Sequence, residues 1–228
     1  MKQLATTAII LGRTDYGEAD RILTLLTPQY GKLSLLAKGV RRVKSKLAGG
    51  IELFSVSEIT FIQGRGSVGT LVSTRLVKHY DYIVKDLDRT MMGYDLIKQL
   101  HKSTEDEPEP EYFALLRDAF AALNDKDVPL HLVRLWFEIQ LLRVEGHTPN
   151  LHAEATGERL TADQLYEFSV ESMSFFAAPE KGRFAAPHIK FLRLAFAGNT
   201  ANALARVAGN EGLVADLRPL VQHLAQLT

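Results

Sequence analysis

Through residue 80 the chain alternates apolar and polar positions in short runs rich in Ile, Leu, Val and Thr, broken by glycine-containing turns. A period of two predicts strands over 5–11, 21–27, 32–37, 54–62 and 70–78. Pro28-Gln29-Tyr30-Gly31 has the length and composition of a hairpin connection between the second and third. In the fourth run the apolar face passes from Phe54 and Val56 to Ile59 and Phe61, a one-residue change of phase that a β-bulge accommodates. Gly64-Arg65-Gly66-Ser67 then turns the chain into the fifth, and five short strands so connected fit a small barrel of the OB kind.

Beyond residue 82 the period lengthens toward 3.6. The segment 86–102 sets Leu87, Met91, Tyr94, Ile97 and Leu100 or His101 on one stripe, and 110–123 does the same with Tyr112, Leu115, Leu116, Ala119, Phe120 and Leu123. An acidic, proline-broken loop, Glu105-Asp106-Glu107-Pro108-Glu109-Pro110, separates them. The segment 128–145, with Val133, Trp136, Phe137 and Leu141 in register, predicts the central core helix. From 147 to 187 the pattern is irregular and predicts a small inserted lobe; helices over 187–197, 200–207 and 213–226 close the chain. The expected class is therefore α+β. An OB-type five-stranded barrel at 1–80 leads into an all-α domain at 81–228 that contains the 147–187 lobe. Two domains also suit 228 residues, because a domain usually runs to about 100–200.

Composition narrows the function classes. No apolar run approaches the roughly 20 residues that cross a bilayer, and the first seven residues read into a strand instead of a secretory signal, so a cytoplasmic chain is expected. The absence of cysteine removes disulfides, thiolate nucleophiles and cysteine-ligated zinc. The net charge of zero conceals an asymmetry: residues 1–80 hold 12 Lys/Arg against 5 Asp/Glu, leaving 15 against 22 in 81–228. A basic front half joined to an acidic rear half points to an anionic partner for the front alone.

The densest cluster is Lys38-Gly39-Val40-Arg41-Arg42-Val43-Lys44-Ser45-Lys46, five cations in nine residues without an acid. Such a loop either remains merely solvated or follows a phosphate backbone, Arg by forked contacts and Lys as a point charge. The basic half and the barrel favour the second. Arg13 and Arg65, placed in the loops after strands one and four, extend the track. Tyr16, Tyr30, Phe54, Phe61 and Tyr80 are the aromatic candidates for stacking on bases, one or two of them in that role and the rest in the core. Asp15, Glu18 and Asp20 could hold a magnesium ion for nuclease chemistry, but turn capping or pairing with Arg13 and Arg21 accounts for them more simply. With no phosphate-binding glycine loop, Gly-x-Ser-x-Gly or His-Glu-x-x-His, neither an enzyme nor a cofactor is expected.

Several stretches resemble the RecO family of bacterial recombination mediators: ILGRTDYGEADRILTLLT at 10–27, GKLSLLAKGVRRVKSK at 31–46, Leu53-Phe54, Gly64-Arg65-Gly66, and LRVEGHTPNL at 142–151. The resemblance implies an OB domain, a helical domain, and a lobe that in many relatives holds zinc through four cysteines. Here LHAEATGE at 151–158 stands where the first cysteine pair is expected, and His147, His152 and His188 lack paired ligand spacing. A metal-free lobe held by Leu160, Leu165, Phe168, Phe175 and Phe176 is expected instead. The implied work is binding single-stranded DNA, annealing complementary strands and, with RecR, assisting RecA onto DNA coated by single-strand binding protein. The acidic, apolar-tipped tail of that protein needs an apolar pocket edged by cations. Arg134 and Arg143 on one helix and Lys190 and Arg193 on another are the candidates, although helix-stabilising surface charge explains them as well. An RNA-binding OB protein and a protein-docking scaffold are the rival readings.

Overall fold

The computed structural model describes residues 2–64, 66–104 and 110–227. It divides into two compact units, residues 1–125 and 126–228.

In the first unit β1 (Gln3–Tyr16), β2 (Asp20–Thr27), β3 (Gly31–Ala37), β4 (Ser55–Ile62) and β5 (Val68–His79) form a barrel in the order β1-β2-β3-β5-β4. The ring closes where β4 pairs antiparallel with β1 and where Ser34–Leu36 of β3 run parallel to Val68–Thr70 of β5. Gly69 sits at that parallel seam. A Cβ there would stand 2.7 Å from Leu35 Cδ2 and 2.9 Å from the Ile62 carbonyl oxygen, so the close approach needs glycine. Ile10, Leu23, Leu25, Leu35, Ile59, Phe61 and Leu71 fill the interior.

Two local expectations change. β1 runs to Tyr16 because Leu11 is bulged: the pairing steps from Ile10 with Leu25 to Gly12 with Thr24, and the re-phased polar residues continue the hairpin. Arg13 therefore lies within the strand and not in a loop after it. The phase change in β4 arises from burial on both faces. Ile59 and Phe61 point into the barrel, while Phe54, just before the strand, meets Tyr94 and Phe120 edge-on at 5.4 Å each. The register does shift against β5, at Val56/Ser57 and Thr60/Phe61, with the extra residues, Val77 and Val72, on β5.

Tyr94 and Phe120 belong to α1 (Leu87–Ser103) and α2 (Pro110–Leu123). Asp86 caps α1 by accepting the Arg89 amide at 3.0 Å, and Lys32 Nζ donates to the carbonyls of His101 and Thr104 at its other end. The face of α1 that packs inward is Arg89, Gly93, Leu96, Ile97 and Leu100. Leu87, Met91 and Tyr94, read from the periodicity as core, are 75%, 57% and 47% exposed. The helix packs chiefly against α2 and the turn before it, while Gly93 and Tyr94 meet Phe54; Leu87 and Met91 are left outward.

In the second unit α3 (Leu130–Val144) is buried from Leu135 through Leu142, as expected of a central helix. Around it pack α4 (Ala186–Phe196), α5 (Ala201–Ala205) and α6 (Asn210–Ala225). The lobe is more regular than its sequence: β6 (Tyr166–Ser169) and β7 (Ser174–Ala177) pair as a hairpin. Its core is Tyr166, Phe175 and Phe184, with Phe168 against Phe175 at 5.1 Å. Leu165 and Phe176, expected there, are exposed, because the strand alternation turns Phe176 away from Phe175. None of the described helices is long and apolar enough to cross a membrane.

Candidate nucleic-acid interface

The nine-residue cationic segment leaves β3 at Ala37 and is held on the barrel by its own few non-cationic residues. Val40 is 4% exposed and joins the barrel core, and Leu47 and Ala48 pack on the same cluster. Between these anchors the backbone is tied down. Asp20 Oδ1 accepts the Gly39 amide at 2.7 Å, Ala19 carbonyl oxygen accepts the Arg41 amide at 2.9 Å, and Arg42 carbonyl oxygen accepts the Ser45 amide at 3.0 Å. An ordered platform results, and from it Lys38, Arg41, Arg42, Lys44 and Lys46 all project into solvent. Fixing the backbone before a ligand arrives lowers the ordering cost of binding.

The charges are also mostly free to act. Among the described residues only Arg41 of these five forms an ion pair, at 3.5 Å from Asp15 Oδ2. The other oxygen of Asp15 accepts from Arg21 Nε at 2.8 Å. The two acids Asp15 and Asp20 thus join the β1–β2 hairpin to the cationic segment, a turn-organising role. Glu18 is exposed in the same turn. Arg13 is bound to Glu52 at 2.9 Å, a partner its sequence position did not suggest because 39 residues separate them. Arg65 lies outside the described residues.

Hydrogen bonding from Arg21 holds the Asp15 carboxyl below the usual carboxylate range; slight burial opposes it, and the charges of Arg41, Arg21 and Arg13 reinforce it. For a depressed carboxyl, the favourable interaction is complete above its unfolded pKa and is lost as pH falls through its folded pKa. A carboxyl-detected NMR titration is therefore expected to place the Asp15 midpoint low, and Arg21→Ala is expected to raise it. An unchanged midpoint in that variant would contradict the assignment.

Of the aromatic candidates, Tyr16 at the hairpin tip is 55% exposed and lies one residue from the carboxylate that contacts Arg41. Phe54, Phe61 and Tyr80 are buried, and Tyr30 packs edge-on against Phe61 at 5.4 Å. Val43, between Arg42 and Lys44, is fully exposed. Val40 was the residue least legible in this region: one valine of the run plugs the barrel and the other stands in water, although both read alike in the sequence.

In the second unit Lys190 and Arg193 line one small cavity of about 60 Å³ with Leu160, Ala162, Ala186 and Ile189, and Arg193 Nε donates to the Leu151 carbonyl at 2.8 Å. Arg134 and Arg143 do not line it. Arg134 is among the charges acting on buried Glu138, whose pKa is raised by burial and lowered in part by Arg134 and Arg218. Arg143 lies over Gly198. His188 is engaged structurally, its Nδ1 accepting the Ala185 amide at 3.0 Å and its Nε2 standing 3.2 Å from Asp216 Oδ2, whereas His147 and His152 are exposed.

Residues 1–80 match the family model Recombination protein O N terminal, and residues 85–227 match Recombination protein O C terminal. The chain is similar to proteins named DNA repair protein RecO. It is 37% identical over 169 residues to that of Dehalococcoides mccartyi, which covers 73% of this chain and 66% of the relative. The Myxococcus xanthus protein is 34% identical over 175 residues, 73% of this chain and 70% of its own. For Halalkalibacterium halodurans the figures are 31% over 193 residues, 82% and 74%.

Proposed function

Because the chain belongs to the recombination protein O family of DNA-repair and recombination proteins, we propose that it binds single-stranded DNA on its cationic platform and anneals complementary strands. With RecR it would assist RecA loading on DNA coated by single-strand binding protein. The reading is non-catalytic and cytoplasmic, with no cofactor. In it residues 1–80 act as the nucleic-acid-binding domain and 81–228, including the 147–187 lobe, as the helical domain that meets protein partners. The observation that supports it best is the presentation of Lys38, Arg42, Lys44 and Lys46 as exposed cations on an ordered backbone, beside exposed Tyr16.

That combination suits a polynucleotide whose bases are accessible. Exposed cations neutralise phosphates without reading sequence, and an aromatic face accepts any base. An annealing protein must in addition suppress the repulsion of two backbones, which a single dense cluster of positive charge does. Arg13 and Arg65 extend the proposed track, the former only insofar as a phosphate competes with Glu52. The acidic tail of single-strand binding protein is assigned to the second unit, where Lys190 and Arg193 edge one small cavity that Leu160, Thr161 and Ile189 also line; Arg134 and Arg143 complete the cationic candidates.

Fluorescence anisotropy across salt concentrations tests the DNA reading. Five cations each neutralising one phosphate give a slope of log affinity against log salt of about −3.5 on single strands, at about −0.7 per contact. A slope near zero refutes it. Tighter binding of RNA than of DNA at equal length would move the site to an RNA-binding protein, and no binding to any oligonucleotide would leave a docking surface for an acidic protein.

A further inference from the structure

The lobe at 147–187 has two strands of four residues each, and most of the rest of it is loop. A unit so short buries too little apolar surface to hold its loops by packing alone, and such units are commonly cross-linked by a disulfide or a metal ion. Neither fits this chain. It has no cysteine, His147 and His152 are exposed, and both ring nitrogens of His188 are taken, by Ala185 and Asp216. Among the described residues no three acidic or histidine side chains converge as ligands. The residues present therefore do not fit the zinc site that many relatives carry in this lobe.

Two turns must nevertheless be held. In the first, at 150–160, Asn150 Oδ1 accepts the amides of His152 and Ala153 at 3.0 and 3.1 Å, and the His152 carbonyl accepts the Leu160 amide at 3.1 Å. In the second, at 178–182, the Ala178 carbonyl accepts the Gly182 amide at 2.7 Å. Tyr166 touches both. Its backbone exchanges hydrogen bonds with Phe184 at 2.8 and 3.0 Å, and Gly182 comes so near that a Cβ would stand 2.6 Å from the Tyr166 nitrogen. The side chain runs the other way. Tyr166 is 1% exposed, and its hydroxyl oxygen accepts the Thr161 amide at 2.7 Å, directly after the first turn, while donating to the Thr161 carbonyl at 3.3 Å. A phenylalanine would fill the same space but leave those Thr161 groups without their partner.

We propose that Tyr166 is the cross-link of the lobe. Its backbone secures the second turn and its phenol the first, and together they perform, without metal, the task of the zinc site in those relatives. The effect reaches the cavity lined by Lys190 and Arg193, because Leu160, Thr161 and Ala162 form its wall on the lobe side.

Zinc analysis and amide hydrogen exchange of the full chain test this independently of DNA. Protein purified without chelator is expected to carry well below one zinc per chain, and EDTA to leave its thermal midpoint in place. A structural zinc site would survive purification and lose its fold to the chelator. Tyr166→Phe keeps the ring and removes the hydroxyl. The Thr161 amide is then expected to exchange about tenfold faster, the usual order for losing a covered hydrogen-bond partner. Amides of α3 from Leu135 to Leu142 should keep their wild-type protection. Stoichiometric zinc whose removal lowers the midpoint overturns the proposal. So does a Thr161 amide indifferent to Tyr166→Phe, or faster exchange that extends equally through α3, which would make the hydroxyl a support of the whole unit and not of the lobe.

Discussion

Replacing Arg41, Arg42 and Lys44 together by alanine is expected to lower affinity for a single-stranded oligonucleotide about 100-fold at low salt. Each exposed cation–phosphate contact is credited with only about 1 kcal/mol because water screens it, and about 3 kcal/mol corresponds to about two decades. The same variant should lose about 2 from the magnitude of the salt slope, at about 0.7 per contact. Stability should change little: the three side chains are exposed, while the platform's anchors, Val40, Leu47 and the Asp20 contact with Gly39, remain. Anisotropy titrations at several salt concentrations measure both quantities on one sample. Unchanged affinity and slope would place the polynucleotide on another surface. A large loss with an unchanged slope would mean that the substitutions had disturbed packing and removed no phosphate contacts.

The platform illustrates what a sequence can and cannot disclose. Five cations in nine residues are visible as charge, and the period-two pattern around them is visible as strands. Their presentation depends on Asp20, nineteen residues before Gly39, and on which of two valines enters the barrel. Both are tertiary facts. β1 was legible only to its apolar end, since its last residues, Gly12 to Tyr16, are polar and paired solely through the hairpin. In α1 the helix was plain from periodicity but its buried face was not. Gly93 has no hydrophobicity to contribute, yet it lies on the inward side, while Leu87 and Met91 lie outward and Tyr94 stands at the boundary, half-exposed but edge-on to Phe54. Periodicity reports that a helix has an apolar stripe; where two stripes exist, backbone proximity decides which one packs. The lobe gave the weakest signal, because strands of four residues are too short for alternation to stand out.

The contact that makes that decision in α1 also produces the largest expected effect on stability. Phe54 is 1% exposed, its ring touches Tyr94 and Phe120, and its own φ is +55°. Phe54→Ala is expected to cost about 3–5 kcal/mol in urea unfolding followed by circular dichroism, the usual range for emptying a buried aromatic site. Alanine leaves the left-handed backbone strain in place. Phe54→Gly relieves about 1–2 kcal/mol of it, so glycine should be no worse than alanine here, contrary to its normal rank beside a strand. Gly93 gives the sharper test. A Cβ on Gly93 would stand 2.5 Å from Phe54 Cε1, closer than packed carbons come, so Gly93→Ala should destabilise the wild type despite the gain of about 1 kcal/mol in helix propensity. In the Phe54→Ala background the ring is gone, only the propensity remains, and the same substitution should stabilise. A change of sign across that double-mutant cycle shows that the aromatic ring, and not the helix's own preference, seats α1 on the barrel; the same sign in both backgrounds would show that it does not.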